Sequence, residues 1–274
     1  MRLAVSNLAW PAEQTARAID LLAGLGVSGV EVAPTRLAPW EELSVGLAAA
    51  HRRQLSDAGL EASSMQAILY GRPELRLLGD GASFSAIADH FRLLAELGAA
   101  LGAGVMVLGA PRNRLRGDLA TAEAWVLGRD RLRVLGAIVA AEGLTIGIEP
   151  VPAHYGGDFL THWRDVLTMV RDVDHTAVGV HLDTGCVALG GDRIEEAVAE
   201  AADSLVHFHA AQPDLADFSV PADNHAAAAG ALRAVAYDRW LSIEMREQPA
   251  DPIAAVETAV GKVMAIYGLG PGDT

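Results

Sequence analysis

The chain has 274 residues, of which 51% are hydrophobic and 20% charged, enough to bury a large core and too apolar for a disordered protein. Its formal net charge of −14 argues against electrostatic binding to nucleic acid or to an anionic membrane surface, since both need a basic face. A single cysteine, Cys186, excludes an intrachain disulfide framework and fits a reducing compartment.

Short β-like runs alternate with longer helical patterns, which predicts repeated strand-helix units around a parallel sheet. LAVSN is the first predicted strand, followed by a helix from Ala12 to Leu25 that starts after Pro11 and stops at Gly26. GVEVA is the second, ending near Glu31, and a helix from Trp40 to Ala58 leads to LEASSMQAI, the third. Asp80 to Ser83 caps a helix running to Leu101. VMVLGA is the fourth strand, with a helix from Thr121 to Glu142. TIGIE, the fifth, precedes a helix from Leu160 to Asp172. VGVHLD is the sixth, with a short helix from Ile194 to Ala201. LVHFHA is the seventh, with a helix from Ala226 to Ala236, and WLSIEM is the eighth, with a helix from Pro252 to Tyr267.

Eight strands and eight helices without a linker or composition break predict one domain over residues 1–274. The expected fold is α/β, a single (β/α)8 barrel with its site at the C-terminal face of the strands. An open doubly wound sheet is the alternative, weakened by the lack of Gly-x-Gly-x-x-Gly after strand one. The irregular stretches Ala110–Leu119, Pro150–Phe159 and Ala211–Asn224 all follow strands and so belong to that face. No signal peptide pattern opens the chain, and no apolar run reaches about 18 residues. A cytoplasmic protein without a membrane span is expected.

Four polar residues close the last four strands: Glu149, Asp183, His209 and Glu244, at steps of 34, 26 and 35 residues. A barrel of about 250 residues has a unit of about 31, so the spacing places one polar group at the carboxyl end of each of four neighbouring strands. One acid at a strand end is more often a cap or an ion pair. Four converging at a barrel mouth describe a divalent-cation site, because carboxylates buried together without a cation repel one another and lose hydration. One nitrogen among oxygens favours Mn²⁺ first, with Mg²⁺, Co²⁺ or Zn²⁺ as alternatives. Strand alternation sets His181, His207 and Ser242 one layer lower, as supports for the ligands and not as ligands themselves.

IEPVPAHYGGDF, HLDTGC, HFHAAQPDL and YDRWLSIEMR resemble the corresponding stretches of the xylose isomerase-like TIM-barrel superfamily, in particular its sugar phosphate isomerase/epimerase group. The resemblance covers essentially the whole chain and is densest from Leu144 to Glu247. It implies that Glu149, Asp183, His209 and Glu244 hold one divalent metal, and that Glu149 and Glu244 also move a proton on opposite faces of a keto-sugar or polyol carbon. Two positions depart from it. Cys186 stands where many relatives have a histidine, and Tyr155 where the epimerases have a further glutamate. A lyase or dehydratase of a keto-polyol, including cleavage of a C-glycoside, is the alternative activity, and a non-catalytic sugar-binding barrel a third. Homo-oligomerisation is compatible with the sequence. DNA cleavage is disfavoured by the charge and by the lack of histidines in MQAILYG and VLGAPRN.

Weaker substrate-contacting candidates are Trp10, Glu31, Gln66, Arg112, Cys186, His225 and Arg246. Four of them have a plain alternative: packing for Trp10, helix capping for His225, a surface ion pair for Arg246, and solvation for Arg112, as for its neighbour Arg114. One of those two loop arginines is a candidate to hold a substrate phosphate or carboxylate.

Overall fold

The computed structural model describes residues 1–248 and 250–270. Eight parallel strands close into a barrel in sequence order. They are β1 (Arg2–Ser6), β2 (Gly29–Val32), β3 (Glu61–Met65), β4 (Val105–Leu108), β5 (Thr145–Ile148), β6 (Val178–Asp183), β7 (Leu205–Ala211) and β8 (Trp240–Glu244). β1 pairs with β8 through Leu3 opposite Leu241, which completes the ring. The strands are nearly continuous buried runs, as a parallel sheet covered by helices outside and packed by side chains inside requires.

Outside lie α1 (Thr15–Gly24), α2 (Val45–Asp57), α3 (Gly81–Leu101), α4 (Thr121–Ala140), α5 (Trp163–Val173), α6 (Thr184–Leu189), α7 (Ile194–Ala201), α8 (Asn224–Ala234) and α9 (Pro252–Tyr267). Nine α-helices among the described residues exceed the eight expected. The extra one, α6, forms because Asp183 ends β6 and caps the next turn, its Oδ1 accepting from the Cys186 N–H at 2.6 Å. Asp80 caps α3 as expected, accepting from the Ser83 N–H, and Gly102 ends that helix with φ 80°.

Three predicted boundaries move inward for local backbone reasons. α2 starts at Val45 and not at Trp40, because Ser44 is extended and accepts from the Leu47 N–H. α5 starts after Leu160, whose φ of 55° no right-handed helix contains. β3 ends at Met65 because Ala67 sits at φ 52°.

Two register shifts fall beside polar residues, between Val30 and Glu31 in the β2–β3 pairing and between Val180 and His181 in the β6–β7 pairing. Such irregularities re-aim the side chains that follow. Beyond the second, His181 lies opposite His207 and Asp183 opposite His209. The start of β7 passes close to β6 at Gly179, where an added Cβ would stand 2.3 Å from Val206 Cγ1 and 2.8 Å from the Ser204 carbonyl oxygen. Backbone yields less than a side chain, so Gly179→Ala is expected to destabilise the barrel by about 1–3 kcal/mol. A lowered urea midpoint at unchanged slope would show it.

Candidate metal centre

β6 and β8 end in Asp183 and Glu244, His209 lies two residues before the end of β7, and Glu149 is the first residue after β5. One donor atom from each of the four lies within 4.8 Å of every other, and all four side chains are buried. His209 Nδ1 is 3.2 Å from Glu244 Oε2 and 3.6 Å from Asp183 Oδ2. Neither contact is a well-directed hydrogen bond, and both Nδ1 and Asp183 Oδ2 are buried without a partner. Polar atoms left unpaired in a buried cluster face a missing partner, and here they face one another.

The electrostatics agree. Burial, then the charges of Asp183 and Glu244, raise the Glu149 carboxyl to a pKa of about 8 against the pull of His209 and Arg114. Burial also raises Glu244, less than it would without His209 beside it. These acids resist ionising together, as carboxylates sharing a site do when no cation neutralises them. Three oxygen donors and one imidazole nitrogen, with no thiolate among them, fit a single divalent cation.

Each donor is held by chemistry from elsewhere in the chain. Gly109 leaves the space that Glu149 occupies: a Cβ there would stand 2.2 Å from Glu149 Oε2. Arg114 is buried and spends its guanidinium on backbone, donating to the carbonyls of Glu149 (2.7 Å), Leu108 and Leu160 (both 3.4 Å). Burial lowers its pKa to about 10, still far above neutrality. It therefore ties the ends of β4 and β5 to the following loop and is not a substrate ligand. Cys186 Sγ lies 3.5 Å from Glu149 Oε1, and burial among the three acids raises its thiol pKa far enough to keep it protonated.

His209 is oriented from across the barrel. Its Nε2 donates to Glu31, 2.9 Å from Oε2 and 3.0 Å from Oε1, which leaves Nδ1 to the cluster. Glu31 also accepts from His207 Nε2 (2.9 Å), Ser64 Oγ (2.7 Å) and Gln66 Nε2 (3.0 Å). Burial alone would raise the Glu31 pKa, but His209 and His207 hold it well below the usual carboxylate range. Burial likewise opposes a charge on His209, yet Glu31 and then Glu244 raise its pKa well above the usual value. A carboxylate fixing the far nitrogen of a ligand histidine is a recurring feature of metal sites. His207 thus supports through Glu31 and does not touch the ligand carboxylates. His181 stacks on His207 with 5.3 Å between ring centroids and meets His209 edge-on at 4.1 Å.

The cluster opens into a cavity of about 600 Å³. Gln66, Arg112 and Cys186 line it, as do Tyr155 and the candidate donors Glu149, Asp183 and Glu244. The other expected contacts lie elsewhere. Trp10 is buried and donates to Thr15 Oγ1 at 3.4 Å, a packing position. Glu31 lies beneath the donors and does not reach the cavity wall. His225 is buried against Phe218 and shares a 3.0 Å hydrogen bond with Tyr267 Oη, and burial lowers its pKa to about 4. Arg246 is exposed, its backbone N–H donating to the Leu215 carbonyl. Tyr155 is pinned at its oxygen, which accepts from the Asp214 N–H at 3.1 Å. Arg72, on the loop after β3, lines the cavity and was not among the expected residues.

A closed parallel barrel carrying an oxygen-rich donor cluster at the carboxyl ends of its strands defines a class of barrels with a candidate metal site at the mouth. The chain belongs to the xylose isomerase-like TIM barrel family, whose model matches residues 19–263. No curated protein matches it significantly. Among solved structures it is similar to D-psicose 3-epimerase with D-tagatose from Clostridium cellulolyticum, at TM-score 0.84 and 16% identity over 97% of this chain and 99% of that one. It is also similar to 3-keto-D-glucoside 4-epimerase from E. coli, at TM-score 0.79 and 18% identity over 97% and 99%. The IOLI protein with a binding zinc atom is similar at TM-score 0.74 and 17% identity, covering 98% of each chain. Identities this low establish the common fold. No helix among the described residues is long and apolar enough to cross a membrane.

Two outcomes follow from the geometry. Glu31→Gln keeps the shape of the network but removes the charge that orients His209, and is expected to weaken divalent-metal affinity about 10- to 100-fold, read by calorimetric titration of the metal-free protein. Glu149 and His209 bind protons more tightly in the folded chain than in the unfolded one, so stability is lost as pH rises through their folded values. His181 and His207, lowered by burial from 6.5, act oppositely only below that value. The melting temperature of the metal-free protein is therefore expected to fall as pH rises from about 7 through 8, and saturating Mn²⁺ to flatten the profile.

Proposed function

We propose that the protein is a divalent-metal-dependent sugar isomerase or epimerase acting on a small keto-polyol. The observation that carries this reading is that Glu149 and Glu244 enter one buried donor cluster from β5 and β8, on either side of Asp183 and His209, at the base of the cavity. The similar folds of D-psicose 3-epimerase and 3-keto-D-glucoside 4-epimerase support it. Glu149, Asp183, His209 and Glu244 would hold the cation, and the oxygen-rich set favours Mn²⁺, with Mg²⁺, Co²⁺ and Zn²⁺ as alternatives. When bound, the cation supplies the positive charge that stabilises an enediolate and acidifies the C–H beside the carbonyl.

The rest belongs to the chain. One glutamate takes the proton from the carbon next to the carbonyl, and the other returns a proton to the opposite face or to the neighbouring carbon. Burial keeps both carboxylates out of bulk water, which strengthens their pull on that proton. Glu31 and His207 hold His209 in one tautomer. The Cys186 thiol, protonated and 3.5 Å from Glu149 Oε1, is a weak donor that restrains that carboxylate. Gln66 and Tyr155 offer polar groups to substrate hydroxyls.

The test is deuterium incorporation. Metal-loaded protein in D₂O, incubated with a panel of ketoses, is expected to exchange the proton on the carbon next to the carbonyl of at least one, read by NMR. Glu149→Gln and Glu244→Gln, compared at saturating metal, should each slow that exchange by roughly 10²- to 10⁴-fold. Sugar binding by folded, metal-loaded protein without any exchange would overturn the catalytic reading.

A further inference from the structure

We infer that Arg72 and Arg112 form a clamp for an anionic group at the mouth of the cavity, so that the substrate is a keto-sugar bearing a phosphate or carboxylate at the end remote from its carbonyl. This rests on the proposed proton-transfer site and names the substrate class it takes. The argument begins with the loops after β3 and β4. The Asn113 side-chain amide donates to the carbonyls of Arg72 (2.7 Å) and Leu75 (2.8 Å), and the Leu77 N–H donates to the Asn113 carbonyl at 2.7 Å. These three bonds staple the two loops together, and Arg112, the residue before Asn113, lines the same cavity as Arg72.

The neighbours of Arg112 in the sequence turn inward. Asn113 and Arg114 are buried and committed to backbone carbonyls. Arg112 is left exposed on the cavity wall, with no hydrogen bond or ion pair among the described residues. Arg72 is bonded to Glu74 through Nε alone, which leaves the outer edge of its guanidinium for a second oxygen acceptor. Two arginines on the wall of one cavity can both donate to one anion.

The loops are rigid where this matters. Trp40 Nε1 donates to the Tyr70 carbonyl and His90 Nε2 to the Ile68 carbonyl, both at 2.8 Å. Each loop also passes through a left-handed alanine on the cavity wall, Ala67 at φ 52° and Ala110 at φ 37°. A conformation unfavourable for alanine persists where the surroundings impose it, and such residues collect at ligand sites. Within one cavity the acids Glu149, Asp183 and Glu244 come from the ends of β5, β6 and β8, and the two arginines from the loops after β3 and β4. An anionic tail is repelled by the acids and attracted by the arginines, which gives the substrate one orientation. About 600 Å³ holds roughly twenty water-sized groups at about 30 Å³ each, enough for a ketohexose carrying such a tail.

The experiment measures binding and so needs no turnover. Manganese-loaded protein is titrated calorimetrically with four ketohexoses, their 6-phosphates and the matching ketohexuronates. At least one anionic member is expected to bind about tenfold or more tightly than its neutral counterpart, with an affinity that falls as salt rises. Preference for the phosphate or for the carboxylate series decides between the two sources. Arg112→Ala and Arg72→Ala, folded by circular dichroism, should each reduce that ratio, and the double variant should bring it close to one, whereas Arg112→Lys should keep part of it. Equal binding of charged and neutral members, a preference that survives in the double variant, or no binding of any member would overturn the clamp. Deuterium exchange into neutral ketoses without anion preference leaves the proton-transfer reading standing and removes this one. Anion preference that depends on Arg112, without exchange, does the reverse.

Discussion

Mutual repulsion among Glu149, Asp183 and Glu244 is the constraint around which the barrel mouth is built. At the 4.8 Å within which their donor atoms lie, a pair of like charges costs about 3–4 kcal/mol at an effective dielectric near 20. Three such pairs sum to roughly the whole net stability of a domain. Ionising all three together is therefore costly without a cation, and the rise of Glu149 to about 8, caused first by burial and then by Asp183 and Glu244, points the same way. The fold tolerates the cluster because positive and neutral donors surround it: His209 among the acids, the Cys186 N–H on Asp183, and the Arg114 guanidinium behind Glu149.

Holding like charges together requires backbone that does not yield. Barrel closure removes free strand edges, and the Val180/His181 irregularity sets Asp183 level with His209. Below this, Glu31 gathers hydrogen bonds from four side chains on β3 and β7 or just past β3. A buried carboxylate satisfied this fully is stiff, and its stiffness passes to the one histidine that faces the cluster. Support and function are thus separated in depth, with the lower layer locking tautomers and the upper layer presenting donors.

The same division appears in the loop after β4. Consecutive residues take opposite tasks, Arg112 facing the cavity while Asn113 and Arg114 are drawn into the protein to satisfy backbone carbonyls that would otherwise be buried without partners. The cavity wall is a by-product of that anchoring, and so is the exposure of one unpaired cation at its rim.

The eight strands, the helices between them and the four donors are legible in the sequence because each is a local signal. A run of apolar residues, a cap such as Asp80 and a polar residue closing a strand are read within a few positions, and repetition near one unit length places them on the same rim. Partnership is not local. Glu31 and His209 are separated by 178 residues, and nothing near Glu31 distinguishes an acid that orients a histidine from one that lines a cavity. Arg112 and Arg114 are equivalent as letters. Trp10 and Arg246 lie a few residues past strand ends and His225 near the start of α8, yet all three turn into packing or solvent, while Arg72, unremarkable in its loop, is bonded through its carbonyl to an asparagine 41 positions away and lines the cavity. Composition and periodicity determined the barrel and the ring of acids. Which side chains are aimed at one another was decided only when closure of the sheet brought distant loops into contact and the burial of each polar group demanded a partner.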